Sequence, residues 1–203
     1  MNKKMLLIGT ILLASCSSVD ATYSFNTFVA SPHKADVSSL SIKNGYFIKD
    51  GSTYYSNDSN SLAIATSDQF ESGTLEVGVK SNNPSDNGII FCLDDHDKAT
   101  YWESGVSYYF FFVSKTGNAY LGKVDNGSWS ALDSIPIDDY SINDIQLIRV
   151  TLSGTTVHCY VNDKLYIIFS EYNFLQGKKY GIRAGVTGVT FTSFTKTNDL
   201  IYE

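Results

Sequence analysis

Three carboxylates crowd one short segment. Asp94, Asp95 and Asp97 stand in LDDHDKATYW, with His96 among them. Such a cluster supports any of three roles. It can gather the oxygen ligands that calcium demands, supply the carboxylate pair of a glycoside-cleaving site, or form a polar hairpin turn, where Asp and Lys are routine. The register of an EF-hand loop is absent, so calcium at Asp94, Asp95 and Asp97 is an expectation from residue type alone. His33, His96 and His158 are scattered along the chain. The adjacent His158 and Cys159 would point to opposite faces of a strand, which leaves no zinc set. The sequence has no Gly-x-Ser-x-Gly elbow, phosphate-cradling loop or dinucleotide fingerprint.

Aromatic residues are the second source of chemistry. Tyr54, Tyr55, Tyr101, Trp102 and Trp129 fall at or beside turn signals, and Asn126 sits in the turn Asp125-Asn126-Gly127. Sugar rings present apolar C–H faces that stack on flat, exposed aromatic rings. Neighbouring Asp or Asn side chains then fix the hydroxyls by hydrogen bonds. Tyr101, Trp102, Asn126 and Trp129 are therefore the expected carbohydrate contacts. The alternative is that each ring covers the edge of a core. Cys92 and Cys159 lie in strand-like runs, where a disulfide and two buried thiols are both open.

The elements that must position these residues are strands. The 203 residues include 14 Tyr and 12 Phe but only 2 Trp and 2 Met, a composition suited to pleated, half-buried surfaces. Runs of strand character recur about every ten residues between turn signals. Leu75, Val77 and Val79 alternate with Glu76, Gly78 and Lys80, and Ser153-Gly154 separates the runs Leu147–Leu152 and Val157–Val161. Gly88–Leu93 and Tyr108–Ser114 are almost wholly apolar and so read as central strands covered on both faces. The only helix the pattern allows is a short one at Glu171–Leu175. About twelve strands cannot lie in one open sheet without exposed edges, so two packed antiparallel sheets are expected. Their interior would be built from residues such as Leu75, Val77, Val79, Ile148, Val150 and Leu152.

The N-terminus carries an address. Lys3 and Lys4 precede an apolar run, Met5–Leu13, far short of the roughly 20 residues that span a bilayer. Leu13-Ala14-Ser15-Cys16 then resembles the lipobox of bacterial lipoproteins. The resemblance implies a signal peptide over 1–15 and lipidation at Cys16; the small, polar residues that follow read as a tether over 16–22, and without a Pro/Gly/Ser-rich linker the rest reads as a single domain over 23–203. The body would then be exported and held by lipid at a bacterial membrane or cell surface. With 15 Lys+Arg against 21 Asp+Glu, the chain lacks the basic surface that a nucleic acid requires.

A longer pattern runs from Leu40 to Phe194. It comprises SIKNGYFIKDGS, LAIATSDQFESGTLEVGVKS, DNGIIFCLDDHDKATYW, YYFFFVSKTGNAYLGKVDNGSW, LIRVTLSGTTVHCYVNDKL and GIRAGVTGVTFTSF. This resembles the concanavalin A-like lectin/glucanase superfamily, in particular its laminin-G-like and keto-disaccharide-hydrolase-like domains, and implies an all-β jelly-roll sandwich. The enzymes of that superfamily carry acidic motifs that are missing here. Glu71 and Glu76 do not reproduce the Glu-x-Asp-x-x-Glu strand of laminarinase-type glucanases. Cys92 stands where the keto-disaccharide hydrolases show an Arg, and Glu103 is followed by Ser104-Gly105 rather than forming Glu-x-Gln. The expected function is a surface lipoprotein that binds a glycan. A glycoside-active enzyme of the same fold and an adhesive lipoprotein that binds protein are the alternatives.

Overall fold

The computed structural model describes residues 35–36, 40–65, 67–81, 86–94, 104–171 and 173–202. Contacts gather Lys34–Glu203 into one unit. The signal peptide, Cys16 and the tether lie outside the described residues. Among the described residues fifteen strands follow in chain order: β1 (Ala35–Asp36), β2 (Leu40–Asn44), β3 (Phe47–Asp50), β4 (Thr53–Ser56), β5 (Ser61–Ala65), β6 (Gly73–Ser81), β7 (Asn87–Leu93), β8 (Tyr108–Val113), β9 (Asn118–Asp125), β10 (Ser128–Pro136), β11 (Gln146–Ser153), β12 (Thr156–Val161), β13 (Lys164–Ser170), β14 (Lys179–Ala184) and β15 (Val189–Thr197). Among the described residues no helix is long and apolar enough to cross a membrane.

The strands form two antiparallel sheets. One has eight strands in the order β13-β12-β11-β6-β15-β4-β3, with β1 pairing the far end of β15. The other has seven, in the order β10-β9-β8-β7-β14-β5-β2. Leu75, Val77 and Val79 on β6 and Ile148, Val150 and Leu152 on β11 join Ile89, Phe91, Phe111, Leu121 and Ile182 from the other sheet in one buried cluster. Burial of each such side chain contributes about 1.5–3 kcal/mol. This is the two-sheet jelly-roll sandwich that the strand pattern implies. Three strands go beyond the expected dozen, namely β1, β2 and β4. Each is five residues or shorter, too short for an alternation to register.

Two expectations change. Tyr54, read as a ring beside a turn, is only 3% exposed and packs edge-on against Phe47, while its neighbour Tyr55 is 41% exposed. Alternation along β4 turns the first ring into the sandwich and the second out of it. The helix allowed at Glu171–Leu175 does not form. Asn173 lies in a turn, and Phe174 and Leu175 are irregular, with Tyr172 outside the described residues. Tertiary contacts hold this stretch instead. Phe174 stacks on Tyr109 at 4.6 Å, and the Leu175 N–H donates to the Tyr109 hydroxyl at 3.2 Å. Tyr109 itself donates to Glu171, which also accepts from Lys123 Nζ at 2.8 Å. Burial opposes the Glu171 charge, but those two hydrogen bonds outweigh it and hold the carboxyl below its ordinary range.

Of the two options for the cysteines, the structure has the buried thiols. Cys92 on β7 and Cys159 on β12 belong to different sheets, and both are free. Burial pushes the Cys92 thiol up to about 12 and raises that of Cys159 as well, so neither is a ready nucleophile. Cys92 also marks a bulge. Phe91 and Cys92 both face the core, Cys92 has φ +53°, and the pairing with β14 slips between Lys179 and Gly181. Beyond the bulge Leu93 faces outward, and the chain leaves the sheet at Asp94.

The outward face of the eight-stranded sheet is polar and strapped. Tyr160, Arg149, Glu76 and Thr195 form one row across β12, β11, β6 and β15. Arg149 lies 4.4 Å above the Tyr160 ring, 3.0 Å from Asp163 and 3.7 Å from Glu76. Next to this row the Thr74 and Thr151 hydroxyl oxygens lie 3.1 Å apart. Thr74 Oγ1 donates to the Asp199 carbonyl at 2.9 Å, and Thr151 Oγ1 to that of Ile201 at 2.6 Å. These bonds hold the chain after β15 against the sheet, and they bring Tyr202 edge-on to His158 at 4.9 Å.

Candidate functional site

The outward face of the seven-stranded sheet is built differently. Leu62, Ile64, Ile90, Leu93, Val106, Tyr108, Phe110, Phe112 and Val124 form a second apolar cluster, with Tyr120 against it. On β8 the inward residues are Tyr109 and Phe111, so Phe110 and Phe112 must point the other way. Register then sets the row Tyr120, Phe112, Gly88, Arg183 across β9, β8, β7 and β14. Gly88 contributes no side chain, and an added Cβ there would come within 2.0 Å of the Phe111 carbonyl oxygen, so β8 packs closely on it.

On this face lies a pocket of about 420 Å³, lined by Asp86, Phe110, Phe112, Ser114, Lys115, Thr116, Tyr120, Trp129 and Arg183. Its size falls within the range of small-ligand sites, about 300–1,000 Å³. Phe112 and Tyr120 stack at 5.3 Å with their planes 5° apart, and Phe110 stacks on Phe112 at 4.6 Å. Trp129 reaches in from β10, 6.1 Å from Phe112 and 37% exposed. Its indole lies against the backbone of Gly122, where an added Cβ would come within 1.8 Å of the ring. Only glycine provides that seat. Arg183 is 2% exposed and lies 4.6 Å above the Phe110 ring. Burial raises the Asp86 carboxyl above its ordinary range, although Arg183 and Lys115 both pull it down. The pocket therefore joins a wall of rings to two cations and one carboxylate.

The expected contact residues are not all found here. Trp129 lines the pocket. Asn126 sits at the β9–β10 turn, where positive φ at Asn126 and Gly127 (+48° and +78°) makes the two-residue hairpin that Asn-Gly favours. Its Oδ1 accepts the Gly105 N–H at 2.8 Å, and its N–H donates to Ser107 Oγ at 3.0 Å. Asp94 Oδ1 accepts the Ser107 N–H at 3.0 Å. Asn126 and Asp94 thus converge on the same loop end, residues 105–107. Asp94 also lines a separate hollow of about 460 Å³ with Ser107, Gln176 and Lys179. Tyr101, Trp102, Asp95 and Asp97 lie outside the described residues. Among the described residues no three His, Cys, Asp or Glu side chains gather to hold a metal ion.

Phe110, Phe112, Tyr120, Arg183, Lys115 and Asp86 were not among the expected site residues. One signal was available: within the run Tyr180–Val186 Arg183 is the one charged residue, with Gly181 and Gly185 two positions to either side.

No protein-family model and no curated protein matches the sequence significantly. Solved structures do resemble the sandwich. The carbohydrate binding module CBM66 from Bacillus subtilis superposes with a TM-score of 0.62 at 20% identity, over 78% of this chain and 94% of that one. The kappa-carrageenase from Pseudoalteromonas carrageenovora, solved with a kappa-carrageenan oligotetrasaccharide, reaches 0.53 at 8% identity over 84% and 97%. An endo-β-galactosidase from Clostridium perfringens reaches 0.52 at 9% identity over 76% and 54%. The fold is the concanavalin A-like jelly roll, in line with the resemblance in the sequence. At these identities the likeness speaks to the fold and not to the activity.

Proposed function

We propose that the protein is an exported lipoprotein, anchored through Cys16, whose sandwich binds carbohydrate in the pocket on its seven-stranded sheet. One observation carries the binding assignment. Trp129, Tyr120 and Phe112 form an aromatic wall in the same 420 Å³ pocket as Arg183, Lys115 and Asp86. Rings of this kind offer a stacking surface for the C–H face of a sugar, and a few fixed polar groups select its hydroxyls or charges. The carbohydrate binding module and the carrageenase of similar fold support this reading. Tyr101 and Trp102 keep their place as stacking residues on sequence grounds alone, as do Asp94, Asp95 and Asp97 as calcium ligands.

Binding is preferred over hydrolysis because, among the described residues, the pocket brings one carboxylate, Asp86, to its lining. A retaining glycosidase needs two at about 5–5.5 Å and an inverting one two at about 6.5–9.5 Å. A glycan array probed with the detergent-solubilised full chain tests the assignment: selective binding that Trp129→Ala abolishes supports it, and an array without hits rejects it. For the anchor, Cys16→Ser is expected to move the protein out of the membrane fraction. Retention of that variant, with no lipid label on the wild type, would reject the lipobox.

A further inference from the structure

The charges in the pocket narrow the class of glycan, if the carbohydrate reading above holds. The chain is acidic, with 21 Asp+Glu against 15 Lys+Arg, and its only arginines are Arg149 and Arg183. Arg149 is set between Glu76 and Asp163 on the strapped face. Arg183 instead forms part of the wall of a pocket with Lys115, and Asp86 is the carboxylate of that lining. In an acidic protein this is a local reversal of sign, two cations to one anion among the described residues of the lining.

The groups are also held in place. The Arg183 guanidinium lies on the Phe110 ring. A guanidinium covered on one face keeps its N–H donors for acceptors in its own plane, a geometry matched to carboxylate and sulfate oxygens. Lys115 sits on the tight turn between β8 and β9. There the Ser114 N–H donates to the Asn118 carbonyl at 2.9 Å and the Gly117 N–H to the Ser114 carbonyl at 3.0 Å. The Ser114 and Thr116 hydroxyls share a further bond of 3.0 Å. Asp86 is fixed by the Gly185 N–H, which donates to its carbonyl at 3.0 Å. A ligand therefore meets cations whose backbone is already ordered, so less entropy is lost on binding.

We propose that the pocket selects an acidic glycan. A uronate carboxylate or sulfate ester would sit at Arg183 and Lys115 while a sugar ring stacks on Trp129 and Tyr120. A neutral sugar gains the stacking but not the charge-assisted bonds.

The test uses an array of matched pairs probed with the full chain in detergent: oligogalacturonates beside their carboxyl-reduced counterparts, and dextran sulfate beside dextran. The acidic member of at least one pair is expected to bind about tenfold or more tightly than its neutral partner, the scale of one charge-assisted hydrogen bond. Preference within the first pair assigns a uronate, and within the second a sulfate. Lys115→Gln and Arg183→Gln should each reduce that advantage. Lys115 is on an exposed turn, so its variant carries the test should the buried Arg183→Gln fail to fold. Equal binding of both members overturns the acidic assignment and leaves the glycan reading standing. Full acidic preference in Lys115→Gln also overturns it. No binding to any member, on a wider array as well, removes both.

Discussion

Both sheets carry an arginine on the side away from the core, and both arginines lie on an aromatic ring. Arg149 is 4.4 Å above Tyr160, and Arg183 is 4.6 Å above Phe110. Each is almost fully buried, at 4% and 2% exposure. The surroundings separate them. Arg149 has two carboxylates within 4 Å, and the chain after β15 is bonded to the two threonines beside its row. Arg183 has stacked rings on one side and a 420 Å³ pocket containing Asp86 and Lys115 on the other. The same cation–ring unit is thus closed off as structure on one face and left facing a cavity on the other. A buried ionic group that lines an open pocket is a candidate for function.

Four substitutions test this contrast, in decreasing order of effect. Arg149→Met removes the counter-charge of the buried Glu76, and breaking such a pair typically costs about 3–5 kcal/mol. Urea denaturation should show a loss near that size, while the folded fraction keeps full affinity for glycan. A loss of affinity without a loss of stability would put ligand on the wrong sheet. Trp129→Ala should do the reverse. Its indole is partly exposed, so the stability cost should fall below the roughly 3–5 kcal/mol of a buried Trp, with glycan affinity down tenfold or more. A large drop in Tm with binding intact would make the ring part of the core.

Thr151→Val deletes the hydroxyl that meets Thr74 and the Ile201 carbonyl. It should cost about 1–2 kcal/mol and speed hydrogen exchange in residues 199–202, leaving the pocket unchanged. An unaltered exchange rate there would deny the strap its anchor.

Asp86→Asn should have the smallest effect on stability, and its sign is the informative part. The folded-state pKa of Asp86 is raised, mainly by burial. Its unfolded form therefore loses its proton first as pH rises past the ordinary value of 3.8, and stability falls between that pH and the folded-state value. The variant should melt slightly higher than wild type at pH 7 and no higher at pH 3. A lower Tm at pH 7 would mean that attraction to Arg183 and Lys115 outweighs desolvation.

The sheets were far more legible in the sequence than the pocket. Leu75, Val77 and Val79 declared their inward face because Glu76, Gly78 and Lys80 alternate with them, and the turn at Asn126-Gly127 has the backbone that its residues demand. The run Tyr108–Val113 has no such contrast. The apolar run Tyr108–Ser114 reads as covered on both faces, and each side chain of the strand Tyr108–Val113 is buried. Yet its outward rings, Phe110 and Phe112, also wall a pocket, and an unbroken apolar run cannot distinguish a pocket wall from core. Trp129 was chosen because it follows a turn. It lines the pocket because of a different partner, Gly122, seven residues back and brought beneath it by hairpin pairing. Arg183 and Asp86 are 97 residues apart, and only the β7–β14 register unites them. Asp94 and Asn126 were chosen for ligand chemistry, and their side-chain oxygens accept from the backbone of one loop. An acceptor that supports a loop and one that meets a sugar look alike in sequence.

The central claim is that ligand is received on the outward face of the seven-stranded sheet and not on the strapped face. Titration of an array-identified glycan into isotope-labelled protein, followed by amide chemical shifts, tests it most directly. The account predicts perturbations grouped at Asp86, Phe112, Lys115, Tyr120, Trp129 and Arg183, with Thr74, Arg149, Thr151 and Tyr160 unmoved. Perturbations centred on the latter group, or around Asp94 and Asn126 with Trp129 silent, would contradict it.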